Sequence, residues 1–408
     1  MEDFAHGRSV IVIGTLDTKG SEVAYLREQL QQLGCKTRVV DVGLTSSAAY
    51  HGDIGREAVE AKADADIKAL LKMDEGKIRA MEAMARGAVA LMEEWLGSGE
   101  IAGAMALGGG LGTWVGIKVM GALPLGLPKI MISTLPFDVR SQLGANDIVL
   151  FHSVADILGL NPMLRKILRN AAAAMAGMVN LPEMAMSSKR VIGITALGVT
   201  TPLVLASRRM LEHKGFEVAG FHATGLGGSA FEEWTGMGMF AGVLDLSPHE
   251  ITSLLFKGVA TPCPDRLETA AIKGVPQVVA PGGLDFVSRG PLETLSPEDR
   301  KKPRYRHSPM FTHVRLSGEE IRAVARMVAA KLNRARGPTA VAIPLRGFSD
   351  QGRAGRSISD PASDMEFVRT LKKNIDARIH IVEVDAHIND EAFARAVCST
   401  LLTFLGEG

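Results

Sequence analysis

Most residues of this chain that could do chemistry lie in two glycine-rich turns and two polar loops. ALGGGLGT supplies Gly108, Gly109, Gly110 and Gly112, followed by Thr113. HATGLGGS supplies Gly225, Gly227, Gly228 and Ser229. Glycine lets a phosphate oxygen come close to backbone N–H groups, and a helix opening directly after the turn favours an anion. A tight strand-to-helix turn also demands glycine, so neither turn is specific alone. Neither fits G-x-x-x-x-G-K-[ST], and no G-x-G-x-x-G is followed by an acidic residue on the second strand.

GTLDTKG packs Thr15, Asp17, Thr18 and Lys19 into one polar turn. Lys19 could neutralise phosphate and Asp17 could hold Mg²⁺, a hard cation that takes carboxylate and water ligands. The plainer reading is a capped turn with Asp17 or Thr18 as N-cap. Thr200 and Thr201 occupy the corresponding turn of the second half, and PGGLDF brings Gly282 and Gly283. His222, before the Gly225 turn, is the histidine best placed for a ligand. His307 and His313 are not spaced for one helical face, so metal ligation is poorly supported. Asp350, Arg353, Arg356, Asp360 and Asp364 crowd one loop, with His387 downstream. Carboxylates beside arginines can form an acid/base or ion site, or simply solvated ion pairs.

The elements that must position these residues follow from periodicity. SVIVIG (Ser9–Gly14) is a strand. Val23, Leu26, Leu30 and Leu33 mark a helix closed by Gly34, and KTRVVDVG is the next strand. The pattern returns at RVIGIT. Val10, Ile11, Ile13, Val23, Arg27, Leu30 and Gly34 meet Val191, Ile192, Ile194, Val204, Arg208, Leu211 and Gly215 at one constant offset, favouring two similar domains. The expected class is α/β: two Rossmann-like, doubly wound domains with mainly parallel sheets, residues 1–183 and 184–408, with the boundary in Leu181–Ser188. The Met81, Met84 and Met92 stripe on a helix from Lys77 to Leu96 reads as core packing. Gly290–His313 reads as a basic surface excursion. In open parallel sheets ligands bind beyond the carboxyl ends of the strands, so the ligand is expected in the cleft between the domains.

Composition narrows the classes. The chain has 408 residues, 46% hydrophobic and 22% charged, which excludes a mainly disordered chain. Lys+Arg is 46 against Asp+Glu 45, so no global basic field exists for nucleic acid or an anionic membrane. Cys35, Cys263 and Cys398 form neither a disulfide framework nor a metal-spaced set, and read as buried or partly exposed thiols. No signal peptide or spanning segment is evident, so a soluble cytoplasmic protein is expected.

GTLDTKGSE, ALGGGLGT, LPKIMIST, GANDI…HSVADILGLN, NAAAAMAGM, HATGLGGSAFE, PGGLDF, SDPASDMEF and DAHINDEAFA, in this order, resemble one family. It is the family of the ATP-binding N-terminal domain of the tomato mosaic virus resistance protein, which includes stand-alone bacterial members. The resemblance covers nearly the whole chain. It implies two Rossmann-like subdomains, homodimers, and ATP with Mg²⁺ as ligand. Three motifs depart from the family: TLPFD (Thr134–Asp138) replaces a small turn, Leu111 replaces a glycine, and GRAGRSIS brings two arginines into the last loop. The first expectation is a protein that binds ATP–Mg²⁺ or a related phosphorylated ligand. The alternatives are a metabolic enzyme on a small carboxylate or sugar acid, using His222 and the Asp350–Asp364 loop, and an inhibitory or scaffolding interaction protein.

Overall fold

A computed structural model describes residues 7–45, 50–135, 139–182 and 189–407. The chain divides into two compact units, Met1–Ala185 and Met186–Gly408. Residues 183–188, most of the expected boundary, lie outside the described residues, as do Pro136, Phe137 and Asp138 of the departing turn.

The first unit carries β1 (Ser9–Gly14), β2 (Thr37–Asp41), β3 (Ile101–Gly108), β4 (Lys129–Ser133) and β5 (Val149–His152). All pair in parallel, in the order β2-β1-β3-β4-β5. The second unit carries β6 (Val191–Ala196), β7 (Glu217–His222), β8 (Gly242–Asp245), β9 (Gln277–Val279), β13 (Thr339–Pro344) and β14 (His380–Val384). Its parallel sheet runs β14-β13-β9-β8-β6-β7. Both units therefore place their first strand second from one edge, with the chain crossing that strand before building the rest of the sheet. This is the doubly wound order, whose switch point lies between β1 and β3 and between β6 and β8.

Helices cover both faces because a parallel sheet must be buried on both. In the first unit, Val10 and Val12 pack with Leu26 and Leu30 of the helix Leu16–Gln32 and with Leu164 and Leu168 of the helix Pro162–Val179. Ile11 and Ile13 face the other way, onto Met81, Met84 and Met92 of the helix Gly76–Gly97. The methionine stripe is core, as its spacing suggests, although Ile78 at its start is exposed.

The constant offset between the halves does not survive intact. Ile192 and Ile194 pack against Leu203 and Leu211 of the helix Thr201–His213, the helix that follows their own strand. In the first unit that role falls to Val10 and Val12, not to Ile11 and Ile13. The helices keep the offset, with Gly34 and Gly215 both closing at positive φ (82° and 88°). The strands are one residue out of phase, and with a side-chain period of 2 this exchanges faces.

The Gly290–His313 segment is more than a surface excursion. Between β9 and β13 lie β10 (Phe286–Arg289), β11 (Arg304–Arg306) and β12 (Thr312–Arg315). They form an antiparallel sheet in the order β10-β12-β11, with Thr312 and His313 buried. In sequence it is hidden by its arginines, of which Arg304 and Arg306 are exposed while Arg315 is buried.

Candidate functional site

At the carboxyl edge of the first unit, β3 ends at Gly108 and the helix Gly110–Gly121 begins almost at once, with Gly109 as N-cap. The first intrahelical bond is from Thr113 N–H to the Gly109 carbonyl (2.8 Å). The amides of Gly110, Leu111 and Gly112 therefore have no helical acceptor, and among the described residues no side chain caps this terminus. Gly110 is exposed, and a Cβ built there would meet nothing within 4 Å among the described residues. Gly109 has nearly the same freedom, with Thr134 Oγ1 3.6 Å away. Gly108 differs: a Cβ there would press on Gly112 Cα at 2.7 Å, so packing accounts for it. Thr113 is buried, and its hydroxyl joins the Gly108 carbonyl (3.2 Å) and Ser133 Oγ (2.8 Å), fastening the turn to β4. It holds the turn and does not face a ligand.

The Thr15 turn is largely spent on the protein itself. Thr15 and Thr18 share a hydroxyl–hydroxyl bond of 2.9 Å. Asp17 Oδ2 accepts from Leu44 N–H (3.1 Å), Thr45 N–H (3.0 Å) and Thr45 Oγ1 (3.0 Å). An oxygen surrounded by three donors does not fit a Mg²⁺ ligand. Among the described residues no three His, Cys, Asp or Glu side chains gather as a metal site. Lys19 Nζ donates to the Ile157 carbonyl, clipping the segment after β5 to the start of the first helix. Lys19 itself departs from helical geometry (φ −129°, ψ 20°).

The second unit fills the equivalent edge differently. Its Gly225 turn follows β7, an edge strand, so it is not the counterpart of the Gly109 turn after the third strand. Gly225 takes φ 105° and caps the helix Leu226–Gly236. Glu250 Oε1 accepts from Gly225 N–H (3.2 Å), and a Cβ on Gly228 would collide with that oxygen. A Cβ on Gly227 would collide with the His222 carbonyl. The helix terminus already has an anion, Glu250, and its glycines have packing reasons.

Glu250 belongs to a buried charge cluster. Arg266, fully buried, pairs with Glu250 (3.1 Å), Glu232 (3.1 Å) and both oxygens of Asp245. Asp245 ends β8 at the switch point, where Thr195 Oγ1 also donates to it (2.7 Å). Burial pushes the Glu232 carboxyl up, against the pull of Arg266. Arg266 thus plugs the crevice in which an open α/β sheet would ordinarily take a ligand.

The remaining predicted residues are mostly structural. Thr200 is buried, bonded to Leu197 N–H (3.1 Å) and Ser247 Oγ (2.7 Å). Thr201 Oγ1 donates to the Gly198 carbonyl (3.0 Å). Ser229 is partly buried on the first turn of its helix, and His222 is exposed. A Cβ on Gly282 would collide with the Leu246 carbonyl, and Gly283 takes φ 70°. Arg353 bonds His387 Nδ1 (2.9 Å) and Asp390 (3.0 Å); Arg356 is exposed. Asp360 caps the helix Pro361–Asn374 through Ser363 N–H (3.1 Å). Asp364 and Asp285 flank one buried guanidinium, that of Arg315, at 2.6 and 3.3 Å. Burial holds the Asp364 carboxyl up to about 7, against the attraction of Arg315. The Asp350–Asp364 loop is therefore not an assembled acid/base site. All three cysteines are buried, as expected.

Sequence reasoning missed Arg266, Arg315 and His249. Each is a lone charged or polar residue in an unremarkable stretch, and its partners come from distant strand ends. A signal did exist for Asp245, which directly ends an apolar strand.

Two family models match this chain end to end: the N-terminal domain of the uncharacterised protein family UPF0261 over residues 8–184, and its C-terminal domain over residues 189–405. The chain belongs to the UPF0261 family. A UPF0261 protein of Clostridium tetani is 39% identical over 403 residues, covering 98% of this chain and 99% of the relative. One from Brucella suis is 32% identical, covering 99% and 98%. The tomato (Solanum lycopersicum) ToMV susceptible protein tm-1(GCR26) is 31% identical over 420 residues, covering 96% of this UPF0261 chain but 55% of the plant protein. Among the described residues no helix is long and apolar enough to cross a membrane.

Proposed function

We propose that this UPF0261 protein binds a phosphorylated ligand, ATP foremost, with its phosphates on the amides of Gly110, Leu111 and Gly112. The observation that carries this reading is a helix terminus at the β1/β3 switch point that no side chain among the described residues caps, and where none of them comes within 4 Å of a Cβ on Gly110. Unsatisfied N–H groups and the positive end of the helix dipole favour an anion there. Thr18, exposed on the neighbouring turn, adds a hydroxyl at the same edge. Magnesium would arrive on the phosphates rather than on Asp17 Oδ2, which already accepts three hydrogen bonds.

Gly110→Val tests the reading. Valine is no worse than glycine in a helix and meets no neighbour, so the fold tolerates it. Its side chain blocks the approach of an anion to the backbone. Losing one or more charge-assisted hydrogen bonds at about 1.5–3 kcal/mol each weakens binding about tenfold to over a hundredfold. Calorimetric titration with ATP, with and without Mg²⁺, reads this. Wild-type affinity in a folded Gly110→Val protein would overturn the proposal.

A further inference from the structure

The second unit contains a serine and a histidine arranged as nucleophile and base. His249 lies just beyond β8 and is buried. Its Nδ1 is 2.7 Å from the Gly283 carbonyl, which can only accept, so Nδ1 carries the proton. Thr252 Oγ1, 3.3 Å from the same nitrogen, gives its own proton to the His249 carbonyl (2.9 Å) and is thus a second acceptor. The lone pair of Nε2 then points at Ser288 Oγ, 2.9 Å away, and the hydroxyl donates to it. Burial disfavours the imidazolium, so His249 stays neutral below the usual histidine range.

The surroundings are also unspent. Ser288, on β10, is partly exposed. It stands directly opposite His313 of β12. The His313 ring is sandwiched between Phe286 (4.1 Å) and His307 (4.7 Å), and its buried Nδ1 has no partner among the described residues. A hydroxyl bonded to a neutral, tautomer-fixed imidazole, on a residue paired across the strands with a second histidine, is the geometry of an activated nucleophile.

We propose that Ser288 is a nucleophile for acyl transfer from small carboxylic esters or thioesters, with His249 as its general base. Ser288 Oγ attacks the carbonyl carbon while its proton passes to His249 Nε2. The tetrahedral carbon then expels the alcohol or thiol, which takes that proton from His249. Water attacks the acyl-serine with the same help, releasing the carboxylic acid and restoring Ser288. No oxidant, reductant or metal is required. Nothing here depends on the nucleotide reading, since every residue lies in the second unit.

The probe is diisopropyl fluorophosphate on the full chain, followed by peptide mass spectrometry. A single adduct on the Ser288 peptide is expected. It is absent from Ser288→Ala and forms at least about a hundredfold more slowly in His249→Gln, as loss of a general base requires. The groups acting on the His249 charge are Asp285 from the β9–β10 turn, which favours it, and His222 from β7 and His313 from β12, which oppose it. The labelling rate should therefore hold as pH falls below the ordinary histidine value, which a merely structural bond would not produce. If His249→Gln fails to fold, Ser288→Cys decides. Its thiol should react with iodoacetamide about tenfold or more faster than a free peptide thiol, over a low background because Cys35, Cys263 and Cys398 are buried. An unlabelled wild type, an adduct retained in Ser288→Ala, or an ordinary rate for the Ser288→Cys thiol would overturn the proposal.

Discussion

At the Gly109 turn no described side chain caps the helix; at the Gly225 turn Glu250 already accepts from the N-cap amide. The two turns look interchangeable in sequence, each several glycines followed by a hydroxyl residue between a strand and a helix. In the first unit the turn follows the third strand, and among the described residues nothing crowds Gly109 or Gly110 and no side chain caps the helix. In the second, the turn follows an edge strand, and Gly227 and Gly228 are forced by the His222 carbonyl and by Glu250. Glycine count therefore says little about phosphate binding. What matters is whether the protein has already supplied the anion. The same contrast holds at the switch points, where Asp245 and Arg266 close the second unit's crevice from within.

The largest effect should come from unplugging that crevice. Arg266→Met leaves Asp245, Glu232 and Glu250 buried without their cation, and breaking a buried ion pair costs about 3–5 kcal/mol. Thermal and urea unfolding of the second unit should show it. A variant as stable as wild type would mean that solvent reaches the cluster and that the crevice is not sealed.

The glycine turns can be set directly against each other. Gly227→Val must push its side chain into the His222 carbonyl, and overpacking of this kind costs about 1–3 kcal/mol or more. Gly110→Val should leave the melting temperature within about a degree or two. Equal stability losses at both positions would erase the distinction between a crowded turn and an open one.

Lys19→Ala sharpens the account of the first unit. If Lys19 is the clip to Ile157, its removal costs about 1.5–3 kcal/mol of stability for a lost charge-assisted hydrogen bond, with ATP affinity unchanged. A tenfold loss of affinity at unchanged stability would make it a ligand cation instead.

The smallest effect concerns pH. The Asp364 carboxyl is held up to about 7, far above its unfolded value. The folded chain thus retains a proton that the unfolded chain has released between about pH 4 and pH 7. This group's contribution to stability is full below the unfolded pKa and is lost as pH rises through the folded one. Wild-type stability should carry a component that falls from pH 5 to pH 7, by less than about 1.4 kcal/mol per pH unit. Asp364→Asn should remove that slope. A slope unchanged in Asp364→Asn would mean that Asp364 is not its source.

By itself the sequence determined the units and their strands. Apolar runs such as SVIVIG and RVIGIT, closed helices ending at Gly34 and Gly215, and the repeated β-turn-α-β pattern depend on near neighbours, and near neighbours are what a sequence displays. It also determined which residues could take part in chemistry, including the glycine turn at Gly108–Gly112. Tertiary structure decided which of them are free to. Asp17 is spent on Leu44 and Thr45, Thr113 on Gly108 and Ser133, and Arg353 on His387 and Asp390. Those partners arrive from other strand ends, at separations no local pattern records. The phase of β6 against β1 was hidden for a related reason: an alternating strand reads the same from either face until a helix packs on one of them. Buried charge is the extreme case. Arg266 and Arg315 look like any solvated arginine until the fold surrounds each with carboxylates, because burial is a property of the assembled layers and not of the residue.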